Sequence, residues 1–166
     1  MAGKWRRPPV RRVGTFAPGA PASRAMLTTV LYRLESPASG EQQEMPFADV
    51  AQDAWYAGAV AWAGENGIVN GVGGGVFAPG KAITREQMVT MLYRYACYRG
   101  EATGAAGDLE QFADGEEVSA WAVEAMSWAV GAGLVSGVAP QALAPGGTAT
   151  RAQMAAILMA FIEMMK

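Results

Sequence analysis

This sequence predicts an all-α protein of repeated helix-loop-helix units, and three observations carry that expectation. Phe77, Pro79 and Arg85 recur as Phe16, Pro18 and Arg24 at an offset of 61, and as Leu143, Pro145 and Arg151 at an offset of 66. Self-similarity at such a spacing marks a repeat architecture, in which single units bury too little apolar surface to stand alone. Each recurrence opens a segment with helical periodicity, as in Leu27, Val30, Leu31 and Leu34, then Met88, Met91, Leu92 and Tyr95. Finally, 51% hydrophobic and 17% charged residues over 166 positions is the composition of one packed globule.

Taken in order, residues 1–13 are expected to form a basic flexible leader, rich in Arg and Pro and without apolar periodicity. A partial unit at 14–36 follows. Its turn, Phe16-Ala17-Pro18-Gly19, leads to Ser23, whose side chain suits the N-cap of a helix running to about Glu35. A polar linker from Ser36 to Met45 then reaches a full unit at 46–100. Here Asp53 is the expected cap of a helix over Ala54–Asn66, with Trp55, Ala59, Trp62 and Ala63 on one face. Gly67 ends that helix in the left-handed conformation that only glycine adopts cheaply. A Gly-rich loop, Gly71 to Gly75, should close with a short β-bridge before the Pro79-Gly80 turn. Thr84 caps the next helix, Arg85 to about Tyr98.

The cycle repeats at 111–165. Phe112-Ala113-Asp114 precedes a helix around Trp121–Val130, and Gly133-Leu134-Val135-Ser136-Gly137 matches Gly67-Ile68-Val69-Asn70-Gly71. The loop is then degraded, for Ala139-Pro140-Gln141-Ala142-Leu143 replaces the triple glycine and the Phe. Thr150 caps a last helix, Arg151 to about Met164. At roughly 25 cal/mol per Å² of buried apolar surface, one helix pair of this size cannot hold itself together. All units must therefore share a core, with the second helices at its centre.

Charge and composition exclude several functions. Five of the thirteen basic residues lie within the first twelve positions, so from Val13 onward eight basic residues face fifteen acidic ones, a charge of −7. Such a body lacks the basic face that nucleic acid requires. There is no His, which removes the commonest general base and any Ser-His-Asp or Cys-His arrangement. The lone Cys97 cannot pair within the chain and is read as a small buried hydrophobe, and no metal or cofactor is expected. No apolar run reaches the length of a membrane-spanning helix. No signal peptide is expected, because Pro-Pro-Val-Arg-Arg follows the basic start where an apolar stretch would be needed.

Phe47-Ala48-Asp49-Val50, Trp55-Tyr56, Ala59-Val60, Gly67-Ile68, Gly71, Phe77-Ala78-Pro79 and Ile83-Thr84-Arg85 together resemble the S-layer homology repeat. The resemblance covers residues 14–165. It implies a pseudo-threefold helical spindle of three repeats, the first incomplete here. It further implies a non-catalytic module on a bacterial cell surface that binds a secondary cell wall polysaccharide, often a pyruvylated one. The family's Thr-Arg-Ala-Glu motif falls on Ser23-Arg24-Ala25-Met26, Thr84-Arg85-Glu86-Gln87 and Thr150-Arg151-Ala152-Gln153. Its arginine is kept three times, and its final acid is absent each time.

The candidate glycan-binding residues are accordingly Arg85, Asp49, Gly73, Gly74, Gln87, Arg151, Asp114 and Arg24. An arginine beside the free N-H groups of a helix start suits a carboxylate such as a pyruvyl ketal. The same arginine could instead bridge neighbouring repeats through Asp49, Asp114 or loop carbonyls, and both readings stand open. Four tryptophans in two pairs at a spacing of seven, Trp55 with Trp62 and Trp121 with Trp128, could stack on sugar rings, but that helical spacing more often marks core residues, and the core is where they are expected. The glycine loop lacks the Gly-Lys-Ser/Thr ending of a phosphate-binding loop. Asp49 and Asp114, being equivalent, do not suit the unequal acid and base roles of glycoside hydrolysis.

A competing expectation is an interaction module. The incomplete first unit leaves the helices Met26–Leu34 and Ala155–Met165 short of partners, a surface for a homodimer or another protein. A cytoplasmic location for the chain as it stands also remains open at this level.

Overall fold

The computed structural model describes residues 16–37, 44–101, 103–139 and 141–166. The expected leader at 1–13 and the start of the partial unit lie outside them. The described chain is helical and holds no strand, only isolated β-bridges. In order it forms α1 (Arg24–Glu35), α2 (Ala57–Glu65), α3 (Arg85–Tyr98), two 3-10 turns (Gly115–Glu117 and Ala120–Ala122), α4 (Val123–Gly131) and α5 (Arg151–Met164).

The three long helices start where their caps dictate. Ser23 Oγ accepts the Met26 N-H at 3.3 Å. Thr84 and Thr150 do the same for Gln87 and Gln153 at 3.2 Å, and each glutamine returns a side-chain oxygen to the cap residue's own N-H at 3.2 and 3.0 Å. Glutamine thus completes a capping box where an acid is the commoner choice.

Their remaining end groups join the units into a closed ring. The Ala22 N-H donates to Ala149 O, the Ala149 N-H to Ile83 O, and the Ile83 N-H to Ala22 O, each at 2.9 Å. Just beyond, the first two N-H groups of each long helix donate to the proline turn of another unit. Arg24 and Ala25 reach Lys81 O and Pro79 O, Arg85 and Glu86 reach Gly147 O and Pro145 O, and Arg151 and Ala152 reach Ala20 O and Pro18 O. Because helix starts leave unpaired donors, a ring that spends them fixes the relative placement of all three units.

The short helices begin later than the sequence suggests. Turns closed by Ala54 N-H to Ala51 O and Ala57 N-H to Ala54 O lead into α2, whose first-turn donors receive no side-chain cap, so Asp53 is not its cap. Trp55 and Trp121 therefore stand ahead of the helices, 64% and 53% exposed, while Trp62 and Trp128 are buried. Helical spacing cannot place a residue that precedes the helix, so only half of the expected tryptophan core is core. Cys97, on the last turn of α3, is likewise exposed rather than buried.

The two inner tryptophans tie the long helices together. α2 packs on α1 and α4 packs on α3. Trp62 lies edge-on between Tyr32 of α1 and Tyr95 of α3, with ring centroids 5.6 and 6.4 Å away. Trp128 repeats the arrangement between Tyr93 of α3 and Phe161 of α5, at 5.4 and 6.3 Å. One continuous apolar core runs through all units, as a repeat fold requires.

The degraded loop keeps its geometry. Val138 N-H bonds Ala142 O at 2.9 Å, as Val72 N-H bonds Val76 O at 2.7 Å, and the Gly73–Val76 bridge has its counterpart in Ala139–Ala142. Gln141 takes the left-handed conformation, with φ 66°, that glycines supply in the intact copy.

Candidate functional site

Two aspartates organise the turns that carry the site. Asp49 Oδ1 and Oδ2 accept the N-H groups of Phe77 and Ala78, each at 2.7 Å. Asp114 grips Leu143 and Ala144 in the same way, at 2.8 and 2.7 Å. Ala17, Ala78 and Ala144 occupy equivalent positions, all precede proline, and all have positive φ, at 45°, 57° and 49°. That conformation is costly for a residue with a Cβ. At Ala78 and Ala144 a carboxylate holding both N-H groups of the turn offsets the cost. Desolvation is the largest single effect on Asp49 and pushes its pKa up, but the two N-H groups outweigh it and hold the carboxyl below its usual value. For Asp114 the Leu143 N-H dominates and the net shift is again downward.

The arginines close these turns from the other side. Arg24 Nε donates to Phe77 O at 2.8 Å and its Nη2 to Asn70 O at 3.0 Å, with the guanidinium 4.8 Å from the Phe77 ring centroid. Arg85 Nε donates to Leu143 O at 2.8 Å. Both are buried, and desolvation lowers the pKa of each. Arg151 differs: its Nη1 reaches Phe16 O at 3.1 Å, and its buried Nε has no partner among the described residues.

A carboxylate cradle at the helix starts would need free backbone donors, and the first three N-H groups of all three long helices have protein acceptors. The inter-repeat bridging role is thus present in the geometry. Gly73 and Gly74 are exposed in the loop, with φ of 118° and 60°, and do not line the cleft described below.

One groove gathers two of the candidates with residues that the sequence reading missed. Arg24 and Gln87 line a cleft of about 450 Å³ together with Asn70, Lys81, Arg94 and Trp121. Oriented so that its nitrogen meets Val69 O at 3.2 Å, the Asn70 amide presents its oxygen to Arg94 Nη1 at 3.3 Å. Three cations line this cleft and no carboxylate does, among the described residues. Burial lowers the Arg94 pKa, the mark of a guanidinium drawn from bulk water. The combination offers charge to an anion and an exposed indole face to a sugar ring.

Register explains why this groove differs from its relatives. Lys81 corresponds to Ala20 and Gly147, and Arg94 to Arg33 and Ala160. Only here do both cations occur together with an exposed tryptophan. A comparison of the copies for residues unique to one of them would have singled out Lys81. Trp121 gave no such signal, since the equivalent position in the preceding unit, Trp55, is also tryptophan. Asp49, Asp114, Arg85 and Arg151 do not line the groove.

Comparison with known proteins agrees with the repeat pattern. The S-layer homology domain model matches residues 46–89 and 111–155, more than half of the chain. The chain belongs to the S-layer homology family. It is 36% identical over 154 residues to the Surface-layer 125 kDa protein of Lysinibacillus sphaericus, covering 90% of this chain and 12% of that protein. It is 33% identical over 152 residues to an Amylopullulanase of Thermoanaerobacterium thermosulfurigenes, covering 89% and 8%. Against the Cellulosome-anchoring protein of Acetivibrio thermocellus the identity is 24% over 153 residues, covering 90% and 34%. The S-layer homology chain thus spans a small part of the length of each relative.

Proposed function

We propose that this S-layer homology chain is a non-catalytic cell-wall anchoring module that holds an anionic glycan in the groove of Arg24, Lys81, Arg94 and Trp121. The observation that carries the reading is the convergence of three cations, with no carboxylate among the described lining residues, beside an exposed indole. A pyruvylated secondary cell wall polysaccharide fits such a groove. Its ketal carboxylate supplies the charge, and its rings supply apolar faces for Trp121. The volume of about 450 Å³ suits one or two sugar residues rather than an extended chain. Relatives named as surface-layer and anchoring proteins support placement at a bacterial cell surface. No helix among the described residues is long and apolar enough to cross a membrane.

The test is a pull-down with purified pyruvylated wall polymer, run beside the same polymer stripped of pyruvate. Retention by the first and loss by the second is expected. Equal retention, or failure to bind either, would overturn the reading.

A further inference from the structure

Trp121, the indole wall of the groove, stands on a 3-10 turn of three residues, Ala120–Ala122, that has no side-chain cap of its own. Such a turn is too short to hold itself, because 3-10 hydrogen bonds are few and poorly aligned. One backbone bond closes it, from the Ala122 N-H to Ser119 O at 2.7 Å. What fixes Ser119 therefore fixes the indole.

Ser119 is held by Glu86. One carboxylate oxygen of Glu86 accepts the Ser119 N-H and the other accepts its hydroxyl, both at 2.9 Å. Glu86 lies on the first turn of α3, the helix that also supplies Gln87 and Arg94 to the groove, and α3 packs against the 3-10 turn. A single side chain thus ties the tryptophan wall of the groove to its cationic wall.

The fold itself does not require this carboxylate. Glu86 is 8% exposed and belongs to neither ion pair among the described residues. Burying a carboxylate without a cation is unfavourable, and here the cost is offset by the two hydrogen bonds and by the positive end of the α3 dipole. The equivalent positions on α1 and α5 are Ala25 and Ala152, and both of those helices start at their caps without a carboxylate. Nor does the turn that carries Trp55 use the device. There Ala25 and Asp53 stand at the positions of Glu86 and Ser119, a pair that cannot make the contact. Trp55 packs edge-on against Tyr56 instead, with ring centroids 5.1 Å apart, whereas the residue after Trp121 is Ala122.

We propose that Glu86 is a positioning residue of the groove, a role that rests on the groove being a glycan site. Through Ser119 it holds the Trp121 indole beside Lys81 and Arg94, and it does not itself line the cleft.

The experiment reads the full chain, labelled with fluorinated tryptophan, by fluorine NMR and by pull-down with pyruvylated wall polymer, the Trp121 resonance being assigned with Trp121→Phe. Glu86→Ala gives α3 the residue that α1 and α5 carry at this position, so the helices are retained, and circular dichroism checks this. It should move or broaden the Trp121 line, leave the Trp55 line in place, and weaken polymer binding about threefold or more. In a Trp121→Ala background it should weaken binding no further. Glu86→Gln, whose amide oxygen can accept the Ser119 N-H while its amide nitrogen donates to the hydroxyl, should bind within a factor of about two of the unsubstituted chain. Ser119→Ala, which removes only the hydroxyl contact, should shift the same line by less than Glu86→Ala does. A Trp121 line indifferent to Glu86→Ala, or binding losses from Glu86→Ala and Trp121→Ala that add, overturns the positioning role and leaves the glycan reading in place. Failure of the unsubstituted chain to retain the polymer overturns that reading and this role with it.

Discussion

Arg24 and Phe77 are bound twice, through the 2.8 Å hydrogen bond from Nε to the Phe77 carbonyl and through the guanidinium lying 4.8 Å from the ring centroid. The pair joins α1 to the proline turn of the next unit, and Arg85 with Leu143 repeats the hydrogen bond one unit on. Removing a buried charged donor leaves the carbonyl that it held without its partner. Arg24→Ala and Arg85→Ala should each destabilise the protein by about 2–3 kcal/mol, read as a lower urea midpoint with an unchanged slope. Arg151→Ala, whose guanidinium makes one partly exposed bond, should cost about 1 kcal/mol or less.

Asp49 and Asp114 give the fold an acid-sensitive component. Both carboxyls are held below the ordinary value of 3.8 in the folded protein, so folding favours their charged forms. The stability they contribute is fully present above 3.8 and is lost as pH falls from there through their folded values. Asp49→Asn/Asp114→Asn should therefore lower stability at neutral pH and flatten its decline below about pH 4. Urea midpoints at pH 7, 4 and 3 check this, and a decline as steep as that of the unsubstituted protein would count against it.

Much of the fold was legible because its determinants are local. Ser23, Thr84 and Thr150 each stand one residue before a helix that begins at arginine, and all three starts fall where those caps put them. The later starts of α2 and α4 were hidden, because the turns before them are closed by backbone bonds that leave no side-chain signature. That error carried Trp55 and Trp121 into an expected core that they do not join. Of the groove, Arg24 and Gln87 were legible as repeat positions. Lys81, Arg94 and Trp121 were not, since only the ring of hydrogen bonds between units brings a turn, a helix face and a distant 3-10 segment to one cleft.

Gly71 and Gly74 should respond to alanine for different reasons. A Cβ on Gly71 would stand 2.5 Å from Val76 O and 3.1 Å from the Phe47 ring, so backbone must shift to admit it. Overpacking of this kind costs about 1–3 kcal/mol. Gly74 has open space around it and a φ of 60°, leaving only the left-handed conformational penalty of about 1 kcal/mol. Thermal unfolding of Gly71→Ala and Gly74→Ala should rank them in that order, and the reverse order would show that the loop does not pack on Phe47.

Trp121 and Trp55 provide a matched pair for the groove. They are equivalent by repeat and similarly exposed, but only Trp121 stands in the cleft with Lys81 and Arg94. If the glycan lies there, Trp121→Ala removes a stacking face worth about 1 kcal/mol or more and weakens polymer binding by about fivefold or more. Trp55→Ala should leave it within a factor of about two. Arg94→Gln and Lys81→Gln should each weaken binding and reduce its salt dependence, because a screened ion pair is what each removes. Equal losses from Trp121→Ala and Trp55→Ala would instead distribute the glycan over more than one inter-repeat face.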